Sequence, residues 1–381
     1  MRSAASANTA TEWVESLDPW PGEFGLGRMR RLLARLGEPQ RAYPAVHVVG
    51  TNGKSTTARL IEALLTDAGL TVGTYLSPHV VRWDERIRVR GADADFEQAV
   101  GRVRDAADDL DATQFEAVTA AALLAFAEQG VDAAVVEAGL GGRLDATNVL
   151  RSEVVVLTNV ALDHTDVLGE TREAIATEKL AVLSPGATAV LGEPEWEALA
   201  RTHGAADVIV AGSSNLALAI AAAEAFLGAP VDPAAAEQVR VPGRLEMRGE
   251  QPLEIWDGAH NLAGVGYLLA RLPAREFVLV LSILADKDVD GMLAAFSALG
   301  ETLVATASAN ARAVPASELA RRAAPFFATV ADVADPAEAL ATARELAGPG
   351  GAVLVAGSLY LLSALAAAER RRLPWDASAS G

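Results

Sequence analysis

Residues 50–56 place glycine, lysine and hydroxyl side chains directly after an apolar run, in the order GTNGKST. Residues 45–50 (AVHVVG) are typical of a buried strand, and residues 54–70 are typical of a helix. Glycines let backbone N–H groups approach phosphate oxygens, a lysine neutralises their charge, and a hydroxyl can bind Mg²⁺. The segment therefore predicts a phosphate-binding loop, shortened because Gly50 lies only three residues before Gly53. The alternative is an ordinary strand–turn–helix corner, which does not account for a lysine and a serine at the start of the helix.

Acidic, imidazole and amine side chains follow later segments of the same kind. Glu137 ends one apolar run, and Asp163 and His164 follow the next. Lys179 lies on the predicted helix after that. Ligands gather beyond the carboxyl ends of parallel strands, so these side chains could converge on the phosphate loop, where a carboxylate and an imidazole are candidate Mg²⁺ ligands. Each has an ordinary alternative: a helix cap or ion pair for Glu137, a hydrogen-bonded core side chain for His164, and a solvated charge for Lys179.

Apolar runs alternate with helical patterns along the chain, which predicts βαβ units and mainly parallel sheets, and hence an α/β protein. Further strand candidates of the first half are residues 133–137, 153–159 and 207–211. The pattern restarts after Pro242-Gly243, with strand candidates at residues 253–256, 277–281, 302–305 and 352–356. We therefore expect a phosphate-loop domain over residues 1–241 and a smaller, Rossmann-like α/β domain over residues 242–381.

The composition limits the partners and the compartment. The chain has 381 residues, of which 51% are hydrophobic and 22% charged, as in globular proteins of two domains. A net charge of −18 opposes binding to nucleic acid and to anionic membranes. The chain has no cysteine, its first ten residues lack a signal-peptide core, and no apolar run reaches membrane-spanning length. We expect a cytoplasmic protein, with a disordered tail over residues 376–381.

A set of short motifs follows one order along the chain. They include HVVGTNGKST, YLSPHVVRWDERIRVRG, TQFEAVTAAALLAF, VVEAGLGGRLDATNV, LTNVALDHTDVLG, VPGRLE, DGAHN, DKD and GSLYL. From about residue 24 to residue 362, the chain resembles the folylpolyglutamate synthase and dihydrofolate synthase family of the Mur ligase superfamily. Each motif alone is weak, but the ordered set is specific. GLGGRLDATN together with SPH separates the folate branch from the peptidoglycan branch.

The resemblance implies an ATP-dependent ligase with a Mur-ligase-type N-terminal domain. Such an enzyme would add L-glutamate to a folate, to dihydropteroate, or to both, through an acyl phosphate. The closest alternative is a Mur-type amide ligase that acts on another carboxylate, such as a cell-wall precursor. A phosphate-loop regulatory protein without ligase activity is a third reading, which leaves Lys179 and the DGAHN segment without a role. The family is usually monomeric, so we expect a monomer.

The resemblance also implies roles for individual residues. Contacts to ATP would come from Gly50, Thr51, Asn52, Gly53, Lys54, Ser55, Thr56, Asn215, Arg244, Asp257, His260 and Asn261. Two Mg²⁺ ions would be held by Ser77, Glu137, His164 and a carbamylated Lys179. The pteroate-binding loops would be formed by Thr113, Gln114, Phe115, Glu116, Arg143, Leu144 and Asp145. The catalytic residues would be Lys54, His164 and Lys179.

The chain departs from the family pattern at three functional places. Ser55-Thr56 replaces the usual Gly-Ser after the loop lysine, so either hydroxyl could face the metal. Only 65 positions separate Lys179 from Arg244 (244 − 179), which is short of the family norm. A serine also stands where glutamine usually precedes the Asn215 segment, so the adenine pocket is the part of the site that the resemblance defines least.

Four arginines, Arg82, Arg86, Arg88 and Arg90, form a basic stretch in this acidic chain. If the stretch were one strand, their even spacing would place them on one face. There they could steer substrate carboxylates toward the site. The alternative is the solvated face of a hairpin.

Overall fold

The computed structural model describes residues 9–22 and 24–371, which fall into two units, Met1–Val239 and Arg240–Gly381. The sequence led us to expect the division between Val241 and Pro242. The tail at residues 376–381 and the first eight residues lie outside the described part of the chain.

The first unit is built on an eight-stranded sheet. Its strands are β1 (Ala45–Val49), β2 (Val72–Tyr75), β3 (Ile87–Val89), β4 (Ala92–Asp93), β5 (Ala133–Glu137), β6 (Val154–Leu157), β7 (Thr188–Leu191) and β8 (Asp207–Val210). The spatial order is β4-β3-β2-β5-β1-β6-β7-β8. The pairings of β3 with β2 and of β4 with β3 are antiparallel, and all others are parallel. After β1 the chain crosses to β2 on one side of the sheet, whereas after β6 it continues to β7 on the other side. Such parallel sheets bind ligands at the carboxyl ends of the strands where the direction of the connections reverses.

Helices cover both faces of this sheet. They are α1 (Ala10–Ser16), α2 (Gly27–Arg35), α3 (Lys54–Asp67), α4 (Phe96–Gly101), α5 (Arg104–Asp108), α6 (Gln114–Glu128), α7 (Thr165–Leu168), α8 (Arg172–Leu180), α9 (Glu197–Thr202), α10 (Asn215–Leu227) and α11 (Ala234–Glu237). Single 3₁₀ turns occur at Pro39–Arg41, Trp83–Arg86 and Pro194–Trp196. The central strands are buried on both faces and mostly apolar, as expected of parallel strands covered by helices. Val46 and Val48 pack in one core with Leu218 of α10, whereas Val49 packs in another with Ile175 of α8.

The second unit carries a six-stranded sheet. Its strands are β9 (Glu246–Glu250), β10 (Leu253–Trp256), β11 (Val278–Leu281), β12 (Thr302–Ala305), β13 (Thr329–Asp332) and β14 (Ala352–Ala356). Their order is β13-β12-β11-β14-β10-β9, parallel except for β9. The helices are α12 (Leu262–Leu269), α13 (Val289–Phe296), α14 (Ala316–Ala323), α15 (Pro336–Ala347) and α16 (Leu359–Arg371), with a 3₁₀ turn at Ser297–Leu299.

The α/β class and the mainly parallel sheets confirm the prediction from the sequence. Every predicted strand is present within two residues of its expected ends. Six strands were not predicted: β2, β3, β4, β7, β9 and β13. Four of them, β3, β4, β9 and β13, carry partly or fully exposed residues and lack the continuous buried run of β1 or β5. The other two, β2 and β7, are largely buried but only four residues long. Within the described residues, no helix combines the length and the apolarity needed to cross a bilayer.

Candidate active site

The phosphate loop takes a conformation that requires glycine at two positions. Gly50 and Gly53 have φ of 146° and 82°. A Cβ on Gly50 would overlap the Thr158 hydroxyl, and one on Gly53 would lie 2.5 Å from Asn215 Oδ1. Asn215, at the start of α10, thus packs directly against the loop, next to the first turn of α3. Thr51 N and Asn52 N already donate to Asn159, so an anion at this loop would be bound at the N-terminus of α3.

The loop is joined to the segment that follows β6. Asn159 Oδ1 accepts from Asn52 N at 3.1 Å, and Asn159 Nδ2 donates to Asn52 O at 2.9 Å. The Thr51 hydroxyl accepts from Ala161 N at 3.0 Å and lies 3.3 Å from Ala161 O. Thr51 and the Asn52 backbone therefore hold the phosphate loop against the segment that leads to His164.

The side-chain amines of two lysines contact the same carbonyl oxygen, that of Gly50. Lys54 Nζ is 3.1 Å from Gly50 O and 3.3 Å from Thr51 O. Lys179 Nζ, at the end of α8, donates to Gly50 O at 2.9 Å and is only 4% exposed. Burial, and secondarily the positive charge of Lys54, lower the pKa of the Lys179 amine from 10.5 to about 7. This shift favours the neutral form of the amine.

Glu137 is the carboxylate at the centre of the site. It ends β5 and is buried. Its Oε1 accepts from Ser55 Oγ at 3.0 Å, and its Oε2 accepts from Ser77 N at 3.1 Å. Ser77 Oγ is itself buried and has no hydrogen-bond partner among the described residues. A carboxylate with two nearby hydroxyls, one of them unsatisfied, is a donor set that suits a hard cation such as Mg²⁺. Of the two loop hydroxyls left open by the sequence, Ser55 is the one that contacts Glu137.

His164 lies in a strained backbone conformation at the start of α7, with φ of 52°. Its side chain is 38% exposed, and Nε2 is 4.0 Å from Asp163 Oδ1. Arg172 and Glu193 hold the preceding segment, because Arg172 Nε donates to Val160 O and Glu193 Oε2 accepts from Val160 N, each at 2.9 Å. Among residues 9–22 and 24–371, no three His, Cys, Asp or Glu side chains are grouped as a metal site. Any cation here would thus depend on hydroxyls or a modified lysine as well.

Most side chains of the first predicted pteroate loop have structural partners. Thr113 and Glu116 form a capping box at the start of α6, and Glu116 also pairs with Arg28 at 2.7 Å. Gln114 Nε2 donates to a backbone carbonyl of α1 at 3.0 Å. Phe115 differs, because its ring lies against Gly139, where a Cβ would be 2.6 Å from Phe115 Cζ. Phe115 is therefore the member of this set that faces the second predicted loop.

The second loop carries two exposed side chains and one buried one. Arg143 is 66% exposed and pairs with Glu178 at 2.9 Å, and Leu144 is also exposed. Asp145 is buried, which raises the pKa of its carboxyl, although hydrogen bonds from Thr147 and Leu140 oppose this. The loop contacts the helix of Lys179 through Gly142 and through Arg143 N, which donates to Glu178 O at 3.0 Å.

In the second unit, the predicted nucleotide contacts gather at the end of β10. Asp257 accepts from Leu245 N and from Ala259 N, each at 2.8 Å. Burial raises the pKa of Asp257, and the Arg244 charge opposes the shift. A Cβ on Gly258 would overlap the Arg244 guanidinium, so these groups are in contact range.

The two remaining predicted contacts of this unit lie just beyond Asp257. His260 Nδ1 is 2.8 Å from Gly258 O, and Asn261 Oδ1 caps α12 by accepting from Gly264 N at 2.8 Å. The backbone partners of these side chains fix the geometry of the DGAHN segment.

Sequence reasoning missed several polar residues at the ends of strands. Arg172 and Glu193 were not singled out, nor were Ser282 and Ser308 in the second unit. Ser308 Oγ is buried without a partner among the described residues, and its backbone N donates to Ser282 Oγ at 3.0 Å. Lys287 of the DKD motif, to which no role had been given, has a side chain only 6% exposed. The positions of Ser282 and Ser308 shortly after β11 and β12 were a usable signal.

The four arginines do not lie on one strand, so the condition for a shared face is not met. Trp83–Arg86 form a 3₁₀ turn, and Arg90 has φ of 55°, so only Arg88 lies within β3. Arg86 is buried and donates to His79 Nδ1 at 2.9 Å. Arg88 pairs with buried Glu62. A turn before and a turn after a three-residue strand interrupt the alternation of side chains.

Known families match the chain in both units. The Mur ligase middle domain matches residues 48–226, and the Mur ligase glutamate ligase domain matches residues 243–359. Together with the sheet order and the phosphate loop, these matches define the chain as a Mur ligase.

Individual relatives narrow this class. The dihydrofolate synthase/folylpolyglutamate synthase of Escherichia coli (strain K12) is 33% identical over 411 residues, covering 95% of this chain and 96% of that protein. Escherichia coli FolC in complex with DHPP and ADP matches with a TM-score of 0.87 at 30% identity, covering 97% of this chain and 100% of that one. The Yersinia pestis bifunctional folylpolyglutamate synthase/dihydrofolate synthase complexed with AMPPNP and Mn ion gives a TM-score of 0.86 at 30% identity, with the same coverage. The chain belongs to the dihydrofolate synthase/folylpolyglutamate synthase family, which confirms the resemblance read from its motifs.

Proposed function

We propose that this chain is an ATP-dependent ligase that joins L-glutamate to a folate, to dihydropteroate, or to both. The observation that supports this most is that hydroxyl, carboxylate and amine side chains meet at one glycine loop. Ser55 contacts the Glu137 carboxylate, and Lys54 and Lys179 both contact the Gly50 carbonyl. The first unit would bind the ATP phosphates, and the second would act as the glutamate ligase domain. The full-length relatives of the folate branch favour this reading over a cell-wall precursor ligase.

The reaction must overcome the inertness of a carboxylate. At neutral pH its oxygen is a poor leaving group, and its charge repels nucleophiles. Transfer of the γ-phosphoryl group of ATP to the carboxylate gives an acyl phosphate and ADP. The amine of glutamate then attacks the acyl carbon, the amide bond forms, and phosphate leaves. This sequence needs no covalent enzyme intermediate, and the chain has no cysteine.

The chain's own residues supply positioning and charge. Lys54 would neutralise charge on the transferred phosphoryl group, and the N–H groups at the N-terminus of α3 would orient it. Ser55, Ser77 and Glu137 would hold a divalent cation, with His164 and Lys179 completing the set for two ions. Mg²⁺, when bound, supplies neutralisation of phosphate charge. Phe115 and the Arg143 loop would face the pteroate moiety.

Lys179 fits this role only in a modified form. An ammonium repels a cation, and it also repels the nearby Lys54. The neutral amine can instead react with CO₂ to give a carbamate and release one proton, which replaces a cation by an anionic oxygen ligand. The buried position of Lys179 and its pKa of about 7 favour the neutral amine that this reaction needs.

The activity is tested by phosphate release from ATP. The purified chain is assayed with dihydropteroate or tetrahydrofolate, with and without L-glutamate, and in parallel with a cell-wall precursor. Release that requires both a pteroate compound and glutamate is the expected result, and the two compounds distinguish the two folate activities. Release that depends on the cell-wall precursor, or on neither substrate, would contradict the proposal.

The carbamate is tested by ¹³C NMR in ¹³C-bicarbonate. The chain has only three lysines, Lys54, Lys179 and Lys287, so a carbamate signal is readily assigned. We expect one signal in the wild type and none in Lys179→Ala. Lys179→Arg should also lose most activity although it keeps the charge, and short carboxylates should partly restore Lys179→Ala. A bare amine at Lys179 with Mg²⁺, ATP and bicarbonate present would exclude this part of the proposal.

We also propose that the chain is a monomer and that it is located in the cytoplasm. Size-exclusion chromatography with light scattering tests the first, and fractionation of the native host tests the second.

A further inference from the structure

A histidine lies where the strand pattern calls for an apolar residue. His47 is the central residue of β1, 1% exposed, and is paired in register with Val136 of β5 and Val155 of β6. Burial lowers the pKa of its imidazole to about 4, so the ring is neutral at physiological pH. A neutral imidazole carries one N–H donor, and a buried donor needs an acceptor.

That acceptor belongs to the loop between β5 and β6. His47 Nε2 is 2.8 Å from Thr147 Oγ1. The Thr147 hydroxyl in turn donates to Asp145 Oδ1 at 2.5 Å. Because a hydroxyl has a single hydrogen, and it points at the carboxylate, Thr147 Oγ1 must accept from His47. The chain of donors thus runs from His47 through Thr147 to Asp145, with the imidazole protonated on Nε2.

Asp145 uses the same carboxylate to shape the loop backbone. Oδ2 accepts from Leu140 N at 2.8 Å, and Oδ1 accepts from Thr147 N at 3.0 Å. These bonds close residues 140–147 into a compact turn whose position is set from the side of β1. None of the three side chains contacts solvent appreciably, so water does not compete for these bonds.

The loop so fixed contacts two parts of the proposed site. At one end Gly139 packs against the Phe115 ring. In the middle Gly142 packs against the backbone of Glu178 and Lys179, where a Cβ would lie 2.6 Å from both carbonyl oxygens. A shift of the loop therefore reaches both the pteroate side and the helix end that carries Lys179.

We propose that His47 is a positioning residue, which fixes the loop at residues 139–148 through Thr147 and Asp145 and so sets the pteroate-binding surface. The predicted effect on KM rests on the proposed function, whereas the predicted effect on hydrogen exchange does not. His47 touches no reacting group and acts through the loop. The phosphate loop follows the same strand but is held separately, by Asn159 and Ala161. Because Lys179 also contacts the phosphate loop, changing His47 should affect binding of the pteroate substrate more than binding of the nucleotide.

The test compares variants that keep or remove the donor. His47→Gln retains an N–H near the Nε2 position, and His47→Leu removes it at similar volume. Thr147→Val and Thr147→Ser form a second pair, in which the hydroxyl is removed or kept. The readouts are KM for the pteroate substrate, Kd for ADP, and amide hydrogen exchange of peptides covering residues 139–148 and 154–157.

We expect His47→Leu and Thr147→Val to raise KM for the pteroate substrate about tenfold and to speed exchange in residues 139–148 about tenfold. ADP affinity and exchange in residues 154–157 should change less than about twofold, and the Gln and Ser variants should resemble the wild type. Unchanged exchange in residues 139–148, or an equal loss of ADP affinity, would overturn the inference. If His47→Leu does not fold, the Thr147 pair decides. If the wild-type chain showed no ligase turnover, the proposed function would be refuted. The hydrogen exchange of residues 139–148 would still test whether His47 fixes the loop.

Discussion

Gly142→Ala should damage both stability and activity, although the change adds a single methyl group. Gly142 has an ordinary backbone conformation, so the replacement causes no φ strain, and its effect is purely steric. The new Cβ would lie 2.6 Å from Glu178 O and from Lys179 O, and 2.9 Å from Lys179 Cα. All three atoms belong to the backbone and cannot rotate away.

The size of the effect follows from what must move. Ordinary van der Waals contact begins at 3.4 Å, so the last turn of α8 or the loop must shift by roughly 0.8 Å. Overpacking of this kind costs about 1–3 kcal/mol of folding free energy. The same shift displaces Lys179, whose Nζ contacts the phosphate loop at 2.9 Å, so we expect a fall in ligase rate of about tenfold or more.

The assay is urea unfolding followed by circular dichroism, together with phosphate release under saturating substrates. Gly101→Ala is the matched control, because a Cβ there meets nothing within 4 Å and the residue ends a helix. The control should keep or slightly raise stability. If Gly142→Ala were as stable as the control and kept more than half of the wild-type rate, the packing of the loop against Lys179 would be wrong.

Three further predictions concern the phosphate loop and the strand before it. Lys54→Ala should lower the rate at least about a hundredfold, equivalent to roughly 3 kcal/mol of transition-state stabilisation, and near-normal turnover would remove the phosphate-loop assignment. Ser55→Ala should weaken binding of Mn²⁺ in the presence of ADP, measured by electron paramagnetic resonance, more than Thr56→Ala does, because Ser55 contacts Glu137; a larger effect of Thr56→Ala would reverse the assignment. His47 has a lowered pKa, so its contribution to stability is present above pH 6.5 and is lost as the pH falls toward 4. The loss should be about 3 kcal/mol, and urea unfolding at pH 7 and pH 4.5 should show a smaller difference for His47→Gln than for the wild type.

The sequence predicted those parts of the fold that have strong local signals. β1 and β5 are buried on both faces and mostly apolar, and a glycine–lysine loop between a strand and a helix is typical of a phosphate site. The ordered motifs were sufficient for the family. Short edge strands such as β4 and β13 were missed because pairing partners, and not local residues, create them.

The sequence was less informative about which site residues are free to bind substrate. Thr113 and Glu116 match the family motif, yet their side chains cap a helix and pair with Arg28. Only the tertiary structure shows that Phe115 faces the second loop. In the same way, the choice between the hydroxyls of Ser55 and Thr56 depends on the position of Glu137, which is 82 residues away in sequence.

The order of the strands also separates the centre of the first sheet, where the proposed phosphate site lies, from its margin. The loop after β1 and the segments after β5 and β6 leave three adjacent strands in the middle of the sheet, each paired on both sides. Local opening is easiest at edges and hardest in the centre of a sheet. The stretch between Lys179 and Arg244 contains β7 and the edge strand β8, which lie outside the central three. The same stretch also contains α10, whose Asn215 packs against Gly53 of the phosphate loop. Leu218 of α10 packs in one core with the residues of β1, so this margin of the sheet still supports the strand that carries the loop.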